Sequence, residues 1–295
     1  MTWIRQYGDV REFAGRVVPF LSRSESTNSL PLRIIHGLTA MSGPLPQGLY
    51  LAAVQAGDSP DAPLLAVALR TPPHNLVLSH PFPREATEVV GLDCLEQSLP
   101  GVIGAVEDAS AFATWWTARK PVQARVAMQL GTYELDQVVT LPPTAGRLRK
   151  ANPADVALVE AWNRAFRSEI MPSAPESPFA ENLDHWYFWE VAGEPVTSVK
   201  AIPSTPNGAT LSAVYTPPAL RRRGYATTAV ARVSALMLER GYRFCFLFTD
   251  LANPTSNGIY QRIGYRYVCE FRQINFTPCS GGLNDACRIL CLALK

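Results

Sequence analysis

The sequence predicts an α/β (α+β) protein, because apolar runs of strand length alternate along the chain with segments of helical spacing. Pairs of apolar runs within residues 48–70 and 185–202 are joined by turn-forming residues and predict two hairpins. Residues 243–250 are apolar at consecutive positions, which is typical of a strand covered on both faces. Residues 214–226 predict a strand, a proline turn and a loop that opens a helix. Helices packed against a sheet follow from these observations.

In the N-terminal half, the first 45 residues show helical spacing, at Val10, Phe13, Val17 and Leu21 and again over residues 30–38. The hairpin at 48–70 comes next. The remaining predicted elements are a strand at 75–79, a helix over 84–99, a strand at 101–106, a helix from Asp108 and an extended segment over 122–138.

In the C-terminal half, a short strand near 147–149 precedes a helix that begins at Asn152 and Pro153. The proline-rich segment Glu169–Pro178 is long enough to cover a substrate. The remaining predicted elements are the hairpin at 185–202, a strand over 207–216, a helix from Gly224 to Gly241, a strand over 243–250, a helix from Asn253 to Gly264, a strand over 265–276, a loop at 278–282 and a last strand at 287–294.

Length and composition indicate two globular domains. The chain has 295 residues, which corresponds to about two domains of ordinary size. A content of 47% hydrophobic and 18% charged residues is typical of a soluble globular protein. Leu141–Gly146 contains two prolines and a glycine, so we place the linker there. The predicted domains are residues 1–145 and 146–295.

Charge, cysteine and hydropathy patterns exclude several classes of function. A net charge of +2, with a single dense basic cluster at Arg221–Arg223, argues against nucleic-acid binding. The six cysteines form no C-x-x-C pair, which argues against a metal site and a disulfide framework and favours free thiols. No segment reaches the roughly 18 apolar residues of a spanning helix. We therefore expect a cytoplasmic protein with no metal and no membrane partner.

The stretch Val214–Ala226 predicts an anion site. Pro217 and Pro218 make a turn after a strand, and Gly224 opens the next helix and allows close approach of the backbone. The first N–H groups of a helix lack partners and carry part of a positive charge, so they attract phosphates. Together with the adjacent arginines, this pattern indicates a diphosphate site.

Two motifs in the C-terminal half resemble those of the GNAT superfamily of acetyltransferases. Arg221, Gly224 and Ala226 form the R-x-x-G-x-A pattern between a strand and a long helix. Residues 253–265 resemble the segment N-x-x-[AS]-x-x-x-Y-x-x-x-G-[FY], and the matching residues are Asn253, Ser256, Tyr260, Gly264 and Tyr265. The resemblance implies a mixed, mostly antiparallel central sheet flanked by helices, with acetyl-coenzyme A as co-substrate. It covers about the last 150 residues of the chain.

The same resemblance implies which residues hold the co-substrate. The main chain of the strand end would pair with the pantetheine amides, the backbone N–H groups at the helix start would hold the diphosphate, and one or two of the three arginine side chains would contact it or the 3′-phosphate. Asn253 and Ser256 would contact the pantetheine arm. The predicted binding residues are Ala213, Val214, Tyr215, Thr216, Arg221, Arg222, Arg223, Gly224, Tyr225, Ala226, Asn253 and Ser256.

Tyr260 is the predicted general acid. A phenol with a pKa near ~10 stays protonated at pH 7 and can protonate a departing thiolate, whose parent thiol has a pKa near ~8.5. Ser256 and Tyr260 share one helix face, and Ile259 and Ile263 share a neighbouring face suited to the core. The general base stays open, with Glu169, His185, Glu190 and Asp250 as candidates.

A weak internal echo links the two halves. Ala68–Pro73 (ALRTPP) and Ala213–Pro218 (AVYTPP) share alanine, threonine and two prolines, and each follows an apolar strand. If the echo reflects a duplication, the N-terminal half is a degenerate lobe of the same fold without the phosphate motif. Double-lobed GNAT proteins have such an arrangement, so we expect tandem lobes of which the C-terminal one is complete.

The predicted function is an acetyl-coenzyme A dependent N-acetyltransferase that acts on a primary amine by direct attack in a ternary complex. The amine would belong to a small molecule or a peptide, and the sequence leaves a homodimer open. One alternative is a tandem-lobed acyltransferase with another donor or acceptor. The other is a coenzyme A binding module without catalysis, whose N-terminal half is an interaction surface.

Overall fold

The computed structural model describes residues 1–170 and 182–279. Within them the chain forms two compact units, the first comprising Met1–Leu130 together with the chain from Cys269 onward, and the second comprising Gly131–Val268. The predicted covering segment from residue 171 on, most of the predicted loop at 278–282 and the predicted strand at 287–294 lie outside the described residues. No helix among the described residues is long and apolar enough to cross a membrane.

Helices and strands alternate along both units. As far as Thr117 the elements are β1 (Trp3–Gln6), α1 (Val10–Leu21), α2 (Ser29–Thr39), β2 (Tyr50–Gln55), β3 (Leu64–Arg70), β4 (Leu76–Leu78), α3 (Arg84–Asp93), β5 (Gly101–Ala105) and α4 (Val106–Thr117). They are followed by β6 (Val122–Leu135), β7 (Arg147–Lys150), α5 (Val156–Ile170), β8 (Trp186–Val191), β9 (Glu194–Pro203), β10 (Gly208–Tyr215), α6 (Tyr225–Glu239), β11 (Phe244–Asp250), α7 (Pro254–Ile263) and β12 (Arg266–Pro278).

The first unit is a sheet with helices on both faces. Its strand order is β1-β2-β3-β4-β5-β12, in which only the β4–β5 pair is parallel. Alternate residues of β2 enter different cores, as the period of a strand requires. Leu51 packs with Phe13 of α1 and Ile35 of α2, whereas Val54 packs with Phe112 and other residues of α3 and α4.

The second unit repeats this arrangement. From β11 to β7 its strands follow in the order β11-β10-β9-β8-β7, and only the β10–β11 pair is parallel. Val230, Val233 and Met237 of α6 are buried against one face of the sheet, and Val159 of α5 is buried against the other with Phe188. The predicted mixed, mostly antiparallel sheet flanked by helices is therefore confirmed.

The units do not divide where the linker was predicted. The sequence predicts one boundary between residues 145 and 146, whereas the chain passes from unit to unit at residues 130 and 268. The reason is β12, which pairs antiparallel with β5 from Phe271↔Ala105 to Asn275↔Gly101 and so completes the sheet of the first unit. Leu141–Gly146 lies inside the second unit.

The two units share one order of elements, but the sequence echo does not mark equivalent positions. In each unit a helix connects two parallel strands, α3 between β4 and β5 and α6 between β10 and β11. The segment equivalent to Tyr215–Gly224 is therefore Ser79–Pro83, after β4. Ala68–Pro73 instead ends β3 and leads by a turn into the antiparallel strand β4. The predicted second lobe is confirmed, but the repeated residues at Ala68–Pro73 and Ala213–Pro218 do not occupy equivalent positions in the two lobes.

Candidate active site

An open cleft of about 550 Å³ lies in the second unit where β10, α6 and α7 meet. One wall comes from the last turn of α5, one from the end of β10 and the loop after it, and one from the start and middle of α7. Among the predicted binding residues, those that line it are Val214, Tyr215, Thr216, Arg221, Arg222, Gly224, Tyr225, Ala226, Asn253 and Ser256. Tyr260 lines it too.

The end of β10 offers an open strand edge. Its parallel pairing with β11 stops at Thr210↔Phe246, so the two strands separate beyond that point. Its pairing with β9 is irregular between Ser212 and Tyr215, and Ala213 there has a φ of 46°. A β-bulge bends and twists its strand. The main chain of β10 therefore faces the cleft without a partner strand, where an extended ligand could add as a strand.

The loop after β10 ends in exposed amide groups. Gly224 precedes α6 with a φ of 81°, which a glycine adopts without strain, and Arg222 has a φ of 63°. The first amide of α6 with an intrahelical acceptor is that of Thr228, which donates to the oxygen of Gly224 at 3.1 Å. Within the described part of the chain, the three amides of residues 225–227 have no acceptor. A Cβ at Gly224 would contact nothing within 4 Å, so space lies open before these donors.

The three arginines of the loop differ in their surroundings. Arg221 donates from Nε to the oxygen of Thr216 at 2.9 Å and from Nη2 to both carboxylate oxygens of Glu169, at 2.7 and 3.0 Å. Arg222 lines the cleft and makes no ion pair with another described residue. Arg223 does not line the cleft, and its Nη2 lies 3.5 Å from the oxygen of Ala219.

Ala213 also lies outside the cleft. Its side chain is buried in the small core that contains Val159 and Trp186. The predicted contribution of Ala213 concerned its main chain, which stands at the bulge itself.

Helix α7 begins as its sequence predicts. The side chain of Asn253 accepts a hydrogen bond from the amide of Ser256 at 3.1 Å, and Pro254 is the first helical residue. Ile263 is fully buried, as predicted, but Ile259 lines the cleft. Ile259 is nevertheless partly buried against the core that contains Ile263, so the prediction that both isoleucines face the core is confirmed.

Tyr260 is held by aromatic neighbours. Its ring centroid lies 6.5 Å from that of Tyr133 and 5.9 Å from that of Tyr265, and only 9% of the residue is exposed. Burial raises the pKa of Tyr260 to about 12. Its hydroxyl has no hydrogen-bond partner among the described residues. A neutral phenol with an uncommitted hydroxyl thus stands at the cleft.

Residues 156–265 match the model of the acetyltransferase (GNAT) family. These residues form a GNAT domain. The match spans the whole cleft wall from α5 to the end of α7. No curated protein sequence matches the chain significantly.

Solved structures resemble the chain over almost its whole length. A Drosophila protein has a TM-score of 0.59 at 14% identity, over 94% of this chain and 99% of its own. A GCN5-related N-acetyltransferase from Sphaerobacter thermophilus has a TM-score of 0.56 at 14% identity, over 97% and 98% of the two chains. A tandem GNAT protein from the clavulanic acid biosynthesis pathway has a TM-score of 0.50 at 10% identity, over 96% and 100%. Both units therefore belong to one tandem GNAT-like fold.

Of the four candidate bases, only Glu169 lines the cleft of the GNAT domain. Glu190 is buried between Arg147 and Arg149, and the Arg149 guanidinium lowers the pKa of its carboxyl. Asp250 is exposed and accepts a hydrogen bond from the amide of Ala252 at 2.8 Å. His185 is partly exposed before β8.

The sequence analysis assigned no role in the cleft to several residues that line it. They are Phe166, Pro218, Leu220, Thr227 and Thr255, whereas Ile170 lines the cleft from within the predicted covering segment. Phe166 continues the apolar spacing of α5 and so could not be told from a core position. Tyr133 was also missed, because it lies on β6, far from the motifs in sequence.

Proposed function

We propose that the protein is an N-acetyltransferase that uses acetyl-coenzyme A and acetylates a primary amine by direct attack in a ternary complex. The observation that carries this proposal is the presence of three features in one cleft. They are the free amides in the first turn of α6, the open edge of β10 and the unpaired hydroxyl of Tyr260. The GNAT match supports acyl transfer as the class of reaction.

The residues present fit coenzyme A. A diphosphate matches amide donors at the positive end of a helix, and Gly224 leaves the room that a phosphate needs. A pantetheine arm carries amides that can pair with the unpaired edge of β10 beyond Thr210. Asn253 and Ser256 would contact the same arm from α7, on the opposite wall.

Acetyl-coenzyme A would supply the acyl group as an activated thioester. The nitrogen of the acceptor forms a bond to the carbonyl carbon, and the bond from that carbon to sulfur breaks. Tyr260 would donate its proton to the sulfur as the carbon–sulfur bond breaks, and the resulting phenolate, which is a stronger base than the thiolate, would regain a proton from the nitrogen that has attacked. Main-chain N–H groups at the bulge of β10 would polarise the carbonyl oxygen during the attack.

The acceptor must lose a proton before or during attack. An α-amino group with a pKa near ~8 is about one tenth neutral at pH 7, so water can take its proton. A lysine ε-amine with a pKa near ~10.4 is neutral in fewer than one molecule in about a thousand and would need a base. Glu169 is the one candidate base that the described cleft contains.

Calorimetric titration with coenzyme A and acetyl-coenzyme A tests the proposal on wild type, Gly224→Asp and Gly193→Asp. Both glycines have a left-handed φ, 81° and 86°, and a Cβ at either contacts nothing within 4 Å. The two substitutions therefore carry similar backbone strain, but Gly193 lies in the β8–β9 hairpin and does not line the cleft.

We expect tight binding to wild type and Gly193→Asp, and at least tenfold weaker binding to Gly224→Asp, where the new carboxylate repels the diphosphate. Equal affinities in all three proteins, or no binding in any, would refute the proposal. Binding without acetylation of any amine in a broad panel would leave a coenzyme A binding module.

A further inference from the structure

One ion pair joins two walls of the cleft. Glu169, in the last turn of α5, receives two hydrogen bonds from Nη2 of Arg221, which belongs to the loop before α6. The two side chains are 46% and 42% exposed, so a ligand in the cleft can reach both. Both residues line the cleft, and Glu169 is the one acidic residue that does so within the described part of the chain.

The carboxylate of Glu169 is neutralised by Arg221. Glu169 lies near the end of the described part of α5, and its ion pair with Arg221 is 2.7 Å long. Glu169 makes no other ion pair with a described residue, so Arg221 supplies the compensating positive charge.

The guanidinium of Arg221 can pair with a bound phosphate as well as with Glu169. Its Nε donates to the oxygen of Thr216, and Arg221 lines the same cleft as residues 225–227, whose amides have no acceptor among the described residues. A phosphate bound to those amides would bring two or more negative charges next to the guanidinium. Arginine forms strong paired hydrogen bonds with phosphate as well as with carboxylate, so phosphate and Glu169 compete for it.

Apolar side chains line the same cleft as Glu169. Phe166 and Ile170 on the same helix, and Tyr215 on β10, line the cleft beside it. Tyr215 is supported from behind by Trp162, with ring centroids 5.9 Å apart. A carboxylate beside such a wall suits an ammonium group attached to an apolar or aromatic body.

We propose that Arg221 exchanges Glu169 for a phosphate of coenzyme A, and that the released Glu169 carboxylate binds the ammonium group of the acceptor. This inference rests on the proposed function and adds the residue that recognises the acceptor. The acceptor class is a cationic amine with an apolar or aromatic substituent. Because coupling between two ligands is reciprocal, coenzyme A and the amine each strengthen the binding of the other.

The first test is calorimetric titration of coenzyme A, without an acetyl group, into wild type, Glu169→Gln and Glu160→Gln. Glu160 lies on the same helix but does not line the cleft, so its variant controls for the loss of one negative charge from α5. Removal of the competing carboxylate should raise the affinity of Glu169→Gln for coenzyme A by about 1.5- to 5-fold, the range that exposed ion pairs support. Glu160→Gln should bind as wild type does.

The second test uses benzylammonium as a probe of the released carboxylate, with benzyl alcohol as its neutral control. Benzylammonium should bind the coenzyme A complex of wild type at least threefold more tightly than free wild type. This gain should be absent in Glu169→Gln and absent for benzyl alcohol.

The outcomes separate the two proposals. If wild type binds no coenzyme A, the proposed function fails and this inference falls with it. If wild type binds coenzyme A but Glu169→Gln binds it no more tightly than Glu160→Gln, the exchange at Arg221 is refuted while the proposed function stands. If benzylammonium shows no gain on the wild-type complex, or the same gain in Glu169→Gln, the role of Glu169 in acceptor binding is refuted.

Discussion

The carboxylate of Asp108, in the first turn of α4, lies 2.7 Å from Nδ1 of His80. His80 belongs to the segment between β4 and α3. The other carboxylate oxygen of Asp108 accepts a hydrogen bond from the amide of Phe82 at 3.3 Å. The segment Ser79–Pro83, which contains His80 and Phe82, is equivalent to Tyr215–Gly224 in the GNAT domain. In the first unit a carboxylate of the chain itself thus accepts a hydrogen bond from a backbone amide of this segment.

From this relationship we expect one coenzyme A to bind per chain, at the second unit. Asp108→Ala should leave the affinity for coenzyme A unchanged and lower the free energy of unfolding by about 1–3 kcal/mol, the cost of leaving buried partners unsatisfied. Calorimetric stoichiometry and urea unfolding measure the two effects. A stoichiometry of two would contradict the expected loss of the site from the first unit.

Tyr260→Phe should lower kcat by about 10²- to 10⁴-fold, the usual contribution of a general acid, and change the affinity for coenzyme A by less than about threefold. Because burial raises the pKa of Tyr260 to about 12, its phenol stays protonated over the whole working range, and no loss of activity below pH 10 should come from its ionisation. Steady-state kinetics from pH 6 to 10 measure both.

Tyr242→Phe is the matched control, since Tyr242 belongs to the same domain but does not line the cleft. Unchanged turnover in Tyr260→Phe would remove its role as acid, and an equal loss in both variants would indicate a structural effect.

Arg222→Ala should weaken binding of coenzyme A about tenfold or more, because Arg222 lines the cleft and a hydrogen bond to a charged group contributes about 1.5–3 kcal/mol. Arg223→Ala should weaken it less than about twofold, because Arg223 is turned toward Ala219 and its charge is screened by solvent. Titrations at low and high salt measure the difference, and Arg222→Ala should show the weaker salt dependence. Equal effects of the two substitutions would exclude a specific contact at Arg222.

Glu190→Gln should destabilise the GNAT domain by about 1.5–3 kcal/mol at pH 7, because it removes the acceptor of hydrogen bonds from two arginines. The Arg149 guanidinium lowers the pKa of the Glu190 carboxyl below its ordinary value of 4.5. The folded state therefore binds fewer protons than the unfolded state near that pH. The stability that Glu190 provides is complete above pH 4.5 and is lost as the pH falls through the lower, folded-state pKa.

Urea unfolding between pH 3 and 7 tests this expectation, with Glu194→Gln as control because Glu194 is exposed in the β8–β9 hairpin. The acid dependence of stability should be weaker in Glu190→Gln than in wild type and unchanged in Glu194→Gln. Identical pH profiles in all three proteins would show that the arginine contacts contribute nothing to stability.

The sequence alone determined the features that depend on neighbours in the chain. The left-handed turn at Gly224, the Asn253 cap and the order of strands and helices follow from the conformational preferences and short-range hydrogen bonds of consecutive residues. For that reason the loop before α6 and most of the residues that line the cleft could be predicted from the sequence.

Only the tertiary structure decided which distant residues meet. The pairing of β12 with β5, the contact of Tyr133 with Tyr260 and the ion pair between Glu169 and Arg221 each join residues that are far apart in sequence. Which strands pair depends on the burial of their hydrophobic faces and on which strand edges are still unpaired. An exposed ion pair produces no periodic pattern in the sequence. The repeat at Ala68–Pro73 shows that a few identical residues do not place two segments at equivalent positions in a sheet.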